Sequence, residues 1–268
     1  MGIVNVTPDS FSNDGLYGSS EAAIAQGLQQ FSQGAAIVDV GGESTRPGAL
    51  SVPLDEELRR VVDVVAGLAP HGRVSIDTTK EQVAVAAAEA GACILNDVSA
   101  NLCEVAAQLG MTWIAVHRQG TAATMQDNPT YGDVVVEVAE FLVGALQRGV
   151  VAGVKEVWVD PGIGFGKTTA HNLELLANVR GLSELGAPLV VGASRKRFIG
   201  ELHARSDAIA NMDANDLGVQ VPADDRLEGS LAVATWAFSE GASVVRTHDV
   251  AFTLDALRVV GGKEAVTI

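Results

Sequence analysis

The chain is short of cysteine, of basic residues and of long apolar runs, and each shortage removes a class of protein. Two cysteines in 268 residues, Cys93 and Cys103, make no disulfide framework. Cys93 lies in the apolar run A-C-I-L-N and reads as a small core hydrophobe. Eighteen Lys and Arg against 33 Asp and Glu leave a net charge of −15, the wrong sign for a nucleic-acid or membrane surface. No apolar run approaches the roughly 18 residues of a membrane span, and no secretory signal precedes the first apolar segment. The compartment read from this is the cytoplasm. The five histidines have neither H-x-H nor H-E-x-x-H spacing, which argues against zinc, and no G-x-S-x-G elbow occurs.

What is present is alternation. Apolar residues make up 47% of the chain and charged residues only 19%, so the chain is rich enough in core-forming residues to be ordered. Short Val- and Ile-rich runs at 2–5, 36–40, 73–76, 93–96, 112–116, 156–159, 188–191 and 243–246 read as strands. Helical patterns fall between them at about 20–32, 54–68, 80–90, 102–109, 132–151, 170–184, 226–239 and 250–260. Eight such units in one domain spanning 1–268 predict an α/β fold, a (β/α)8 TIM barrel with its active site at the C-terminal face of the strands; a doubly wound open sheet is the rival. Segments 6–18, 41–53 and 117–131 are longer than the two to six residues or so of a plain βα turn, which marks them as functional loops. Residues 200–225 read as a mobile insertion with no chemistry of its own. The helix G-S-L-A-V-A-T-W-A-F-S-E-G-A is apolar nearly all round, so its outer side meets either a second subunit or that insertion.

Nearly every strand runs into chemically useful residues: Asn5, Asp39, Asp77, Asn96, His117, Asp160, Lys196 and Arg246. Eight cations (Arg46, Lys80, Arg118, Lys167, Arg195, Lys196, Arg197 and Arg246) fall at or just after strand ends, a set suited to a small anion. In G-G-E-S-T-R-P-G the paired glycines allow close approach of a ligand, and Ser44, Thr45 and Arg46 offer donors to phosphate oxygens; a plain surface loop is the alternative. The run D-P-G-I-G-F-G-K-T is not a P-loop, because Pro161 stands where that motif needs glycine. It reads instead as a floor that sets Phe165 against a flat ligand, with Asp160 pointing into the pocket. Arg246 and His248, two apart on extended backbone, share a side and make a plausible anion pair. His71, His171 and His203 read as surface or capping residues, and His117 as structural.

The runs N-V-T-P-D-S-F-S, G-G-E-S-T-R-P-G, S-I-D-T, N-D-V-S, N-P-x-Y, D-P-G-I-G-F-G-K-T, S-R-K and R-T-H-D-V, in this order, resemble the bacterial dihydropteroate synthase family. The resemblance implies condensation of 6-hydroxymethyl-7,8-dihydropterin diphosphate with p-aminobenzoate, with Mg2+ as cofactor and sulfonamides as inhibitors; the apolar helix adds the expectation of a homodimer. It puts the pterin among Asp77, Asn96, Asp160, Phe165 and Lys196. The diphosphate falls to Asn5, Thr45, Arg46, Arg246 and His248, with Asn5 on the metal. The p-aminobenzoate pocket falls to Thr7, Pro8, Phe11, Ser44, Pro47 and Arg197. Catalysis is implied for Asn5, Asp77, Lys196, Arg246 and His248.

This sequence departs from the family pattern in places. It begins almost directly on the first strand, which is expected to weaken the barrel floor. It reads A-N-L after N-D-V-S where a glycine pair is more usual, H-R-Q-G in place of a more apolar H-M-Q-G, and Arg197 where many members have Ser. The rival functions are a methyltetrahydrofolate-using methyltransferase on the same kind of barrel and a non-catalytic paralogue that binds a pterin or a partner.

Overall fold

A computed structural model of the chain describes residues 1–7, 20–44, 48–49, 51–121, 123–211 and 221–261. Six strands pair in chain order, all parallel: β1 (Gly2–Asn5), β2 (Ile37–Gly41), β3 (Arg73–Asp77), β4 (Ile94–Asp97), β5 (Thr112–Val116) and β6 (Val157–Asp160). The last two, β7 (Val190–Val191) and β8 (Val244–Val245), pair with each other. Single bridges from Val159 to Leu189 and from Gly2 to Thr247 join the two pieces on both sides. The eight strands therefore close into a barrel, not an open sheet.

Parallel neighbours cannot be joined by a tight turn, so each strand is followed by a crossover helix. These are α1 (Ser20–Ser32), α2 (Leu54–Leu68), α3 (Glu81–Glu89), α4 (Cys103–Leu109), α5 (Val134–Ala152), α6 (Thr169–Ala177), α7 (Val179–Ser183), α8 (Arg197–Asn211), α9 (Leu227–Ser239) and α10 (Val250–Gly261). Start signals are local. Asp133 caps α5 by accepting from the Val135 and Val136 amides, and Thr168 and His171 cap α6 reciprocally.

The two-residue period of the strands sorts their side chains into two layers. Val38, Val40, Val74, Ile76, Leu95 and Trp113 point outward and pack with Val61, Leu68, Val83 and Ala87 from the helices. Each such side chain contributes about 1.5–3 kcal/mol when fully buried. The inward set changes character along the barrel axis. Ile37, Ile94, Ile114, Trp158 and Val190 form an apolar plug. Two residues further along the strands come Asp39, Asn96 and Asp160, all buried. The apolar lower half closes the barrel, and the polar upper half is the root of the site.

Three expectations need correction. The helix read as 170–184 breaks into α6 and α7 at Asn178, whose side-chain amide donates to the Glu174 carbonyl at 2.8 Å in competition with the backbone ladder. The segment 200–225 is not a featureless insertion. Residues through Asn211 continue α8, because Gly200, Ala204 and Ala208 bury one side of it at a spacing of four. Arg226 then fastens Val221 by two bonds to its carbonyl, at 2.8 and 2.5 Å. Cys93 is exposed while Cys103 is buried, because Cys93 precedes β4 at the uncovered N-terminal end of the sheet. The helix α9 packs against both α8 and α10, and its Trp236 is 49% exposed.

Candidate active site

A cavity of about 1200 Å³ opens at the C-terminal ends of the strands. Asn5, Asp77, Phe165, Lys196, Arg246 and His248 line it. Thr7, Ser44 and Arg197 stand in its wall as well. Asn96 and Asp160 stand just behind the wall, only 5% and 6% exposed. Pro8, Phe11, Thr45, Arg46 and Pro47 lie outside the described residues.

Strand register sets the base of the site. Asn5, Gly41, Asp77 and Asn96 are successive partners across β1 to β4, so their side chains lie at one level. Arg246, just past β8, reaches across and donates from Nε to Asp39 at 2.6 Å and from Nη2 to Asp77 at 3.0 Å. Asn96 donates to the same Asp39 oxygen at 3.0 Å. The other oxygens, Asp39 Oδ1 and Asp77 Oδ1, are buried with no hydrogen-bond partner among the described residues. Burial pushes Asp77 up to about 7, against the pull of Arg246 and with the push of Asp39. Unpartnered buried acceptors of this kind are costly unless something is built to meet them.

The second group hangs on the loop after β6. Asp160 Oδ1 accepts from the Gly162 amide at 2.7 Å. Gly162, Gly164 and Gly166 take φ of 66°, 85° and 62°, and a Cβ on Gly162 would lie 1.8 Å from the His117 carbonyl oxygen. That run of left-handed glycines brings Phe165 under Lys196, whose Nζ sits 4.2 Å from the ring centroid and donates to the Ile163 carbonyl. Burial raises the Asp160 carboxyl despite Lys196 and the Gly162 amide, and burial lowers Lys196 to about 8 despite Asp160. An acceptor, a donor and a flat ring thus converge, which is a set for a planar heterocycle with an N–H edge.

The third group is His248, whose Nδ1 is 3.0 Å from Ser194 Oγ and whose Nε2 is 3.5 Å from the Asn5 amide nitrogen. A methyl placed on Gly41 would be 3.8 Å from both Asn5 Oδ1 and Asp77 Oδ2, so both oxygens lie beside bare backbone there.

Of the eight strand-end cations, Lys167, Arg195, Lys196, Arg197 and Arg246 line the cavity. Lys80 is held by Glu43 and the fully buried Glu57. Arg195 is paired with Asp249 at 2.5 Å and Arg197 with Glu201 at 2.8 Å. Lys167 is 2% exposed and bound to His117. Arg46 lies outside the described residues and Arg118 is half-buried. Several of them are already paired because lysines and arginines at strand ends meet the acidic and carbonyl groups that the same turns bring there. The sequence reading gave Asp39 no role in the site. Its signal was a lone acid inside the apolar run I-V-D-V-G, with nothing nearby in the sequence to name its partner.

Residues 1–248 match the family model described as pterin binding enzyme. The dihydropteroate synthase of Escherichia coli K12 is 41% identical over 268 residues, covering 97% of this chain and 89% of that protein. The structure of Xanthomonas albilineans dihydropteroate synthase with 4-aminobenzoic acid superposes with a TM-score of 0.87 at 43% identity, covering 100% of this chain and 93% of that one. That of the Yersinia pestis enzyme in complex with a sulfonamide drug has a TM-score of 0.87 at 39% identity, covering 98% and 93%. This chain belongs to the dihydropteroate synthases, within the pterin-binding enzyme family.

Proposed function

We infer that the barrel condenses 6-hydroxymethyl-7,8-dihydropterin diphosphate with p-aminobenzoate to give 7,8-dihydropteroate and pyrophosphate. The carrying observation is one cavity with two chemistries: Asp160, Lys196 and Phe165 on one side, Arg246, His248 and Asn5 on the other. Asp77 accepts from Arg246 at 3.0 Å and lines the same cavity as Lys196. In this reading the aminopyrimidinone edge donates to Asp160 and accepts from Lys196, while Asn96 and Phe165 hold the ring. The diphosphate meets Arg246, His248, Thr45 and Arg46. The arylamine enters over Thr7, Ser44 and Arg197, with Pro8, Phe11 and Pro47 as the rest of its pocket.

The bond that breaks joins the exocyclic methylene carbon to the bridging oxygen, and its electron pair leaves with pyrophosphate. Arg246 is held by two carboxylates at 2.6 and 3.0 Å, and growing charge on the leaving group competes with them for its guanidinium. The Asp77 and Asp160 carboxylates then lie beside the developing pterin cation. The aniline nitrogen forms the new C–N bond and loses a proton. The Asn5 amide oxygen at the end of β1 is a donor of the kind a hard cation takes when it uses few protein ligands and completes its shell from substrate phosphates. Mg2+ bound there, chiefly through Asn5, would supply charge neutralisation for the leaving group.

A homodimer is also proposed, supported by the outward Trp236 of α9 and the 59% exposed Phe252 of the adjoining α10. No helix among the described residues is long and apolar enough to cross a membrane. A cytoplasmic location is supported by the two free cysteines, which suit a reducing compartment.

Pyrophosphate release measured with both substrates tests the reading. Release that needs both supports it. No release would favour a barrel that only binds, or one that moves a methyl group instead.

A further inference from the structure

Every carbonyl from Gly162 to Gly166 is taken by a side-chain donor. Lys196 binds Ile163, Gln126 binds Gly164 at 3.0 Å, and Tyr131 binds Gly166 at 2.8 Å. Lys167 alone takes two of them, Gly162 at 3.0 Å and Phe165 at 3.1 Å. Its third proton goes to His117 Nδ1 at 2.8 Å. An ammonium has three protons and no acceptor, so Lys167 is fully spent and has none for a ligand.

Burial lowers Lys167 to about 7. With Lys167 as the ammonium, His117 Nδ1 offers a lone pair and the ring is neutral with its proton on Nε2. The ring is 7% exposed and stands edge-on to Phe141 at 4.8 Å. Burial first, and then the Lys167 charge, lowers its pKa to about 3, which agrees with the geometry.

We propose that Lys167 and His117 are positioning residues for the pterin end of the cavity, holding the loop 162–166 in the one shape that sets Phe165 beneath Lys196. The proposal rests on the assignment of that end of the cavity to the pterin. Three glycines at positive φ give up more chain freedom than any other residue would, and they stay ordered only while their carbonyls are held. Lys196 reaches the loop at Ile163, the residue next to Gly162, which Lys167 holds. Slackening the clamp therefore moves the ring and the lysine together, and leaves Arg246 and His248 untouched.

Steady-state kinetics of three variants against wild type test this, with circular dichroism and melting to show that each is folded. His117→Phe keeps the ring's shape and its contact with Phe141 but removes the acceptor. His117→Asn puts an amide oxygen near the place of Nδ1. Lys167→Met keeps the stem and removes all three bonds. The Michaelis constant for the pterin diphosphate should rise at least tenfold in His117→Phe and Lys167→Met, with that for p-aminobenzoate within threefold of wild type. His117→Asn should recover pterin affinity to within threefold. If Lys167→Met does not fold, the two His117 variants decide. An inactive wild type overturns the functional reading itself. An active wild type overturns the positioning pair if the pterin constant stays within threefold in His117→Phe, if both constants rise together, or if Asn does no better than Phe.

Discussion

Arg246 and Asp39 stand 207 positions apart in the chain and meet at 2.6 Å, guanidinium Nε to carboxylate Oδ2. The contact crosses from the end of β8 to the middle of β2, over β1. It makes the barrel's upper interior an ionic layer. Breaking one partner of such a buried pair leaves an uncompensated charge, so the layer is held as a unit.

Asp160→Asn should abolish pterin binding and keep the fold. The amide can turn its oxygen to the Gly162 amide, as Asp160 Oδ1 does at 2.7 Å, and so preserve the turn. It then presents an NH2 group toward a ring edge that also donates. An unpaired buried donor costs about 1–3 kcal/mol, and more when a charge is lost with it. Calorimetry with the pterin substrate measures the loss; affinity within threefold of wild type would take Asp160 out of the pocket.

Gly162→Ala should be among the most damaging substitutions in the chain. The added Cβ lies 1.8 Å from the His117 carbonyl oxygen, and φ is 66°. Both the collision and the left-handed backbone count against it, so a loss above about 4 kcal/mol is expected, at the upper end for single substitutions. Urea denaturation reads it directly, and a loss below about 1 kcal/mol would mean that the loop is not seated against His117.

His117→Asn should change how stability depends on pH. The native pKa of about 3 lies below the 6.5 of the free side chain. Between those values the unfolded chain holds a proton that the native state does not, so the wild-type contribution falls as pH falls through that window. From pH 7 to 4.5 the loss is about 2–3 kcal/mol. The variant lacks it, so its deficit relative to wild type should narrow by that order on acidification. Denaturant midpoints at the two pH values check this, and a constant deficit would mean that His117 titrates in the native protein as it does in the unfolded chain.

The strands and most helices were legible because period-two and period-3.6 apolar patterns are local properties. The helices at 20–32 and 54–68 have the bounds that their patterns imply. What stayed hidden depends on contacts that only the closed barrel makes. Asp39 has no charged partner until β8 brings Arg246 beside it. Lys167 looks like a rim cation until the left-handed glycines turn the carbonyls that bind it. α8 was missed because its buried side is alanine and glycine at a spacing of four, too weakly apolar to stand out. Within the site, Asp77, Phe165, Lys196, Arg246 and His248 announce themselves at strand ends and meet in the cavity, whereas the pairing of Lys80 and Arg195 with acids shows only in three dimensions.

The central claim is that Arg246 passes from Asp39 and Asp77 to the departing pyrophosphate. Such a residue serves the transition state more than the bound substrate. The direct measurement is turnover of Arg246→Ala beside its affinity for a dihydropterin that lacks the diphosphate. The account predicts that kcat falls at least a hundredfold while that affinity stays within about tenfold of wild type, on the order of 1.4 kcal/mol. A variant with an unchanged kcat and only a raised Michaelis constant would contradict it.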